Sequence, residues 1–201
     1  SVTNNNLILT TKDLEDIRQV RGVENAAGMI MKVAPVKFKE EINVVYVVGY
    51  DEEYQNIFSE EFDKRLLEGV VLKKGEKSKV MVGYSHIYGK IWDNPVKLRD
   101  KIEFEGMEFK ISAIVKKQGN PYDDGMIMMR KEVMRELLNV QDEESSITVK
   151  VKSGFDPKEV AESIKKKLRQ LKNQKEGQET FNVQTYEQIL QSFTNIFSIV
   201  Q

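Results

Sequence analysis

Residues 23–50 read VENAAGMIMKVAPVKFKEEINVVYVVGY. Val23 to Phe38 is rich in β-branched and small residues and predicts one extended strand, with Pro35 as a point of interruption. Glu41 to Tyr50 is a nearly continuous apolar run, the pattern of a strand buried on both faces. Only Lys39-Glu40 separates the two, short enough for a hairpin.

Upstream, Thr10 and Thr11 are candidate N-caps for a first helix, and Asp13 and Glu15 favour its positive end. Leu14, Ile17 and Val20 share one face, and Gly22 is placed to end it. Downstream of Asp51 the pattern breaks into short helical pieces, Glu52 to Phe58 and Glu60 to Leu67. A short strand at Val80–Gly83 follows, and Ser85 is a candidate cap for a helical piece reaching Tyr88. The clearest hairpin is Lys101 to Lys117: Ile102 and Phe104 alternate, Glu105-Gly106 turns, and Phe109, Ile111, Ala113 and Val115 alternate back. Gly119 to Gly125 reads as a loop by composition, and Met126 to Met129 as a short strand.

Helical spacing returns at Val133, Leu137 and Val140, followed by a strand from Ile147 to Val151. Asp156-Pro157 opens a helix with Asp as cap and Pro at the first position, and Val160, Ile164, Leu168 and Leu171 form its buried face. Phe181-Asn182-Val183 is expected to be a final strand. Ile189, Leu190, Phe193, Ile196, Phe197 and Val200 then give an amphipathic helix running to the end of the sequence. The expected fold class is α+β with two lobes. Residues 1–50 and 130–201 form a discontinuous α+β lobe, and 51–129 form an inserted β-rich lobe.

Composition removes several functions. The 201 residues carry 31 Lys plus Arg against 32 Asp plus Glu, a formal net charge of -1, which argues against a general nucleic-acid binder. Zero cysteines exclude disulfides, thiolate nucleophiles and Cys-ligated zinc, and a single histidine, His86, excludes a His-rich metal site. No glycine spacing gives GxGxxG or the Walker pattern, so no nucleotide cofactor is expected. No stretch reaches the roughly 18 consecutive apolar residues of a membrane span. The opening Ser1-Val2-Thr3-Asn4 and the uncapped apolar run Phe197 to Gln201 lead us to expect a piece of a longer chain, continuing into a membrane helix.

Three constellations invite a chemical reading, and each has a plainer one. Ser85-His86 suggests a nucleophile and base, but adjacent residues rarely meet in that geometry and no third group is indicated; packing is the expected role. Asp123-Asp124 suggests a cation site, yet no further carboxylates recur at calcium-loop spacing, so a solvated turn is expected. Lys165-Lys166-Lys167-Leu168-Arg169 suggests an anionic partner, but Glu159, Glu162 and Glu176 dilute the field and a solvated helix face is expected. No catalytic or metal residue is assigned.

Several short signatures occur in a characteristic order. They are Leu9-Thr10 with Asp13 to Ile17, Gly22-Val23-Glu24, and Val48-Gly49-Tyr50-Asp51 with Tyr54. Leu67-Glu68-Gly69, Val80 to Gly83 with Tyr88-Gly89, and Leu98 to Ile102 with Gly106, Phe109 and Ile111 to Val115 complete the series. In this order they resemble the extracytoplasmic domain of MacB-type ABC transporter permeases. The departures are Val70 where Arg is usual, Asp100 and Ala113 where Gly is preferred, and Arg130 after a strand that often leads into Pro.

The resemblance implies a non-catalytic domain on the extracytoplasmic side of the cell membrane, between two membrane helices of a permease. Its two lobes would be Porter-like (the chain ends) and Sabre-like (the insert). The implied partners are the flanking transmembrane helices, an ABC ATPase, a second permease subunit and an extracytoplasmic adaptor or substrate. The implied activity is mechanotransmission, with Ile189, Phe193, Ile196, Phe197 and Val200 as the membrane-coupling helix. The alternative is an extracellular sensory module that binds a peptide or partner and signals through flanking helices. Three further spans and a neighbouring ATPase gene would favour transport; a single span leading into a kinase would favour sensing.

Overall fold

The computed structural model describes residues 9–58, 62–88 and 91–191. The chain forms two compact units. One combines residues 1–26 and 149–201, and the other is continuous from Ala27 to Thr148.

In the first unit, helix α1 (Thr11–Arg18) begins with a reciprocal cap: the Asp13 amide donates to the Thr10 hydroxyl, and the Thr10 amide to the Asp13 carboxylate. Leu14 and Ile17 are buried, as are Val160, Ile164 and Leu168 of helix α5 (Pro157–Leu171), capped by Asp156. The two helices pack together, and Lys172 Nζ meets Asp13 Oδ2 at 2.9 Å in a nearly buried pair. Lys150 pairs with Glu24 at 2.9 Å, and the Lys152 amide donates to the Gly22 carbonyl.

The second unit is organised by the two strands that the opening stretch predicts. Strand β1 runs Val23–Phe38 and β2 runs Glu41–Tyr50, paired antiparallel from Ile30↔Gly49 to Phe38↔Glu41. Pro35 does not interrupt β1. The longer strands that follow are β3 (Leu66–Gly69), β4 (Lys79–Val82), β5 (Lys101–Phe104), β6 (Met107–Val115), β7 (Ile127–Arg130) and β8 (Ser146–Val151), beside the two-residue strands Leu9–Thr10 and Glu143–Glu144. Strand β2 pairs parallel with β7, β7 antiparallel with β4, β4 parallel with β6, β6 antiparallel with β5, and β5 antiparallel with β1. That circuit closes, so the mixed α+β fold holds a six-strand barrel with no free edge inside the ring.

The inward side chains Ile30, Val36, Val47, Val82, Ile102 and Ile127 fill the barrel. Tyr50, Phe62, Leu72, Met81 and Ala113 form a second apolar layer. Helix α2 (Glu52–Ile57) supplies Tyr54 to that layer, whose members also include Phe58 and Leu66. Helix α3 (Pro121–Gly125) and helix α4 (Lys131–Leu138) flank β7 in sequence.

Several expectations are corrected. The sequence places the boundaries after Tyr50 and after Met129, but the compact units divide inside β1 and β8. The β1–β2 hairpin and β7 belong to one barrel, because β2 lies between β1 and β7; a change of local pattern along the chain does not mark that non-local pairing. Strand β2 is buried throughout only over residues 45 and 47–50; Ile42 and Val44 are exposed. Within the expected second helical piece, Asp63–Arg65 is a 3-10 turn, and Leu66–Gly69 is a strand against the C-terminal half of β6. Phe181–Val183 is irregular rather than a strand.

Candidate functional site

The expected coupling helix is described only at its start. Residues 186–191 are helical, and the helix opens on a reciprocal cap in which the Gln188 amide donates to the Thr185 hydroxyl and the Thr185 amide to Gln188 Oε1. Glu187 pairs with Lys158 of α5 at 2.9 Å, both side chains being exposed, so screening leaves the contact weak. Ile189 is 38% exposed and Leu190 47%. Phe193, Ile196, Phe197 and Val200 lie outside the described residues.

The most connected polar site among the described residues was not legible in the sequence. Lys131, the first residue of α4, sends its Nζ to the Gly28 carbonyl at 2.8 Å and to Glu144 Oε1 at 3.2 Å, and pairs with Asp51 Oδ2. Arg135 Nη2, one turn along α4, meets Glu144 Oε1 at 2.7 Å, and Nη1 donates to the carbonyls of Val140 and Gln141. The Glu144 side chain is 1% exposed and lies against Gly28, where a Cβ would stand 2.3 Å from Oε2. Only glycine leaves room for this carboxylate. Asp51 also caps α2, accepting from the Tyr54 amide at 3.0 Å. The Val48-Gly49-Tyr50-Asp51…Tyr54 signature therefore has a local physical meaning: strand end, buried ring, helix cap. The two cations and two carboxylates balance, and the cluster ties β1, α2 and α4 to the chain before β8. Its evident work is positioning.

The three constellations of the sequence are also placed. His86 is fully buried; Trp92 Nε1 donates to its Nδ1 at 2.9 Å, and its Nε2 lies 3.0 Å from the Gly125 carbonyl. With both nitrogens engaged it is not positioned as a base for Ser85. The Asp124 carboxylate accepts from the amides of Gln118 and Gly119, and Asp123 accepts from Asn120 Nδ2. These are turn contacts, and no group of three or more metal-ligating side chains occurs among the described residues. On α5, Arg169 pairs with Glu179 at 3.1 Å and with Glu176 at 3.5 Å, so the basic run is internally neutralised at its end.

No helix among the described residues is long and apolar enough to cross a membrane. The pattern of the MacB-like periplasmic core domain matches residues 2–167. An uncharacterized ABC transporter permease of Methanocaldococcus jannaschii is 25% identical over 195 residues, covering 96% of this chain and 47% of the relative. The chain thus spans about half the length of the curated relative it matches. Among solved structures, the periplasmic region of MacB from Actinobacillus actinomycetemcomitans superposes with a TM-score of 0.69 at 15% identity, covering 93% of this chain and 83% of that one. The extracellular domain of the noncanonic ABC-type transporter YknZ from Gram-positive bacteria gives 0.67 at 14% identity, covering 90% and 93%. At such identities these likenesses concern the fold. With the family pattern covering most of its length, the chain belongs to the MacB-like periplasmic core domain family.

Proposed function

We propose that this chain is the extracytoplasmic domain of an ABC transporter permease subunit, and that it carries ATP-driven motion across the membrane for export or extraction of a substrate. The observation that carries the reading is the family match over residues 2–167, together with a relative described as an ABC transporter permease. In this reading the domain is non-catalytic and an associated ATPase hydrolyses the nucleotide. Its partners are the flanking membrane helices, a second permease subunit and an extracytoplasmic adaptor or substrate.

The helix that starts at Thr185 is the lever toward the second membrane span. In this reading Ile189, Phe193, Ile196, Phe197 and Val200 are the membrane-coupling residues expected from the sequence. A capped helix passes a displacement along its axis, whereas a Gly/Ser linker behaves as a flexible coil and dissipates it. Insertion of a short Gly/Ser segment after Gln201 in the intact permease should leave the domain's melting temperature nearly unchanged and uncouple transport from ATP hydrolysis. Unimpaired transport would reduce the helix to a tether.

A further inference from the structure

Arg130, the last residue of β7, is 2% exposed, and its Nε and Nη1 have no hydrogen-bond partner among the described residues. Ile127 and Met129 of the same strand belong to the barrel interior, whereas the alternate residue Met128 packs in the second apolar layer. Arg130 follows that alternation: it pairs in register with Tyr50, and its guanidinium lies 5.7 Å from the centroid of the Tyr50 ring. The ring face offers a cation-π contact but no hydrogen-bond acceptor along the guanidinium edge.

The surrounding carboxylates among the described residues are already committed, and Asp123, whose charge is felt at Tyr54, accepts from Asn120 Nδ2. Asp51 accepts from the Tyr54 amide and pairs with Lys131. Glu144 serves Lys131 and Arg135. Glu76, whose charge is felt at the Tyr50 hydroxyl together with that of Arg130, accepts from the Lys73 amide and from Lys79 Nζ. Among the described residues Lys131 and Arg135 balance Asp51 and Glu144, which leaves Arg130 as one uncompensated positive charge. An arginine keeps its charge in proteins, so it cannot escape this cost by losing a proton. A buried water would satisfy an N–H and leave the charge.

We propose that Arg130 holds a small monovalent anion, of chloride or formate size, in the layer between the barrel wall and the Tyr50 and Tyr54 rings. One charge matches the excess of one, and the depth of the guanidinium restricts the ligand to a few atoms. The site is independent of the transport reading.

The test exchanges sodium gluconate, whose anion is too large to enter, for sodium chloride, bromide or formate at constant ionic strength. The melting temperature of the wild-type chain should rise by several degrees and saturate, because a ligand of the folded state stabilises it by mass action. Arg130→Met should melt at least as high as wild type in gluconate and show no such rise. Parallel responses of the two proteins would overturn the proposal. Should Arg130→Met not fold, crystals of the wild-type chain grown in bromide give a direct answer. An anomalous peak in contact with Nε or Nη1 supports the site, and water alone at that position overturns it.

Discussion

The indole Nε1 of Trp92 donates to Nδ1 of His86 at 2.9 Å, and this one contact fixes the protonation of the ring. Indole nitrogen is a donor only, so Nδ1 must be the acceptor and the proton must sit on Nε2, facing the Gly125 carbonyl at 3.0 Å. Burial then pushes the imidazole down to about 4. The neutral ring acts as a structural link between β4's exit and the loop that carries Trp92.

A neutral buried histidine makes stability depend on acid. The unfolded ring titrates near pH 6.5 and the folded one near 4, so its contribution is complete above about pH 6.5 and is lost progressively as pH falls toward 4. The difference corresponds to about 3 kcal/mol. Urea unfolding at neutral pH and near pH 4 should show wild type losing that much more than His86→Gln. Equal losses would mean the ring is charged in the folded state.

Trp92 is the single tryptophan and is 1% exposed. Its emission should be blue-shifted in the native chain. Protonation of Nδ1 breaks the indole contact, so acid titration should alter the intensity with a midpoint near 4, before the red shift of unfolding. His86→Gln should remove that first transition and keep the second.

Glu144 serves two cations from a position 1% exposed. Removing it takes the shared carboxylate from Lys131 and Arg135 and leaves Asp51 alone against the two cations, and Glu144→Ala should cost about 3 kcal/mol. A double-mutant cycle with Arg135→Met should give a coupling energy of about 1 kcal/mol or more. Purely additive effects would show that the two side chains do not support each other.

Gly28→Ala places a methyl group where the Glu144 carboxylate lies. The expected cost is about 2 kcal/mol, from displacement of the buried ion pair. In the Glu144→Ala background most of that cost should vanish. A penalty unchanged in that background would trace it to the strand backbone instead.

Strand β2 should respond unevenly to substitution. Val47→Ala, at a position with no exposure, should cost about 2 kcal/mol or more. Val44→Thr, at a residue 67% exposed, should change stability by less than about 0.5 kcal/mol. Comparable losses at the two sites, measured by thermal unfolding, would mean that the outer face of the hairpin is covered in solution.

The sequence by itself determined what nearest neighbours decide. The bounds of β1 and β2 follow from β-branched content and two hairpin residues. The β5–β6 turn follows from Glu105-Gly106, both at positive φ (49° and 74°), the geometry that a two-residue hairpin demands. Asp156-Pro157 started α5 where cap and ring chemistry require it. The family signatures rest on such local devices, which is why they were readable. Only the tertiary structure decided which strands meet: β2 beside β7 and β5 beside β1 join residues far apart in the chain, and this moved the boundary between the units. It also decided the charges. Gly28, Asp51, Lys131 and Glu144 carry no shared spacing, and Arg130 looks like any strand-end arginine. Pairing and desolvation depend on distance in space, which closure of the barrel sets and local periodicity does not encode.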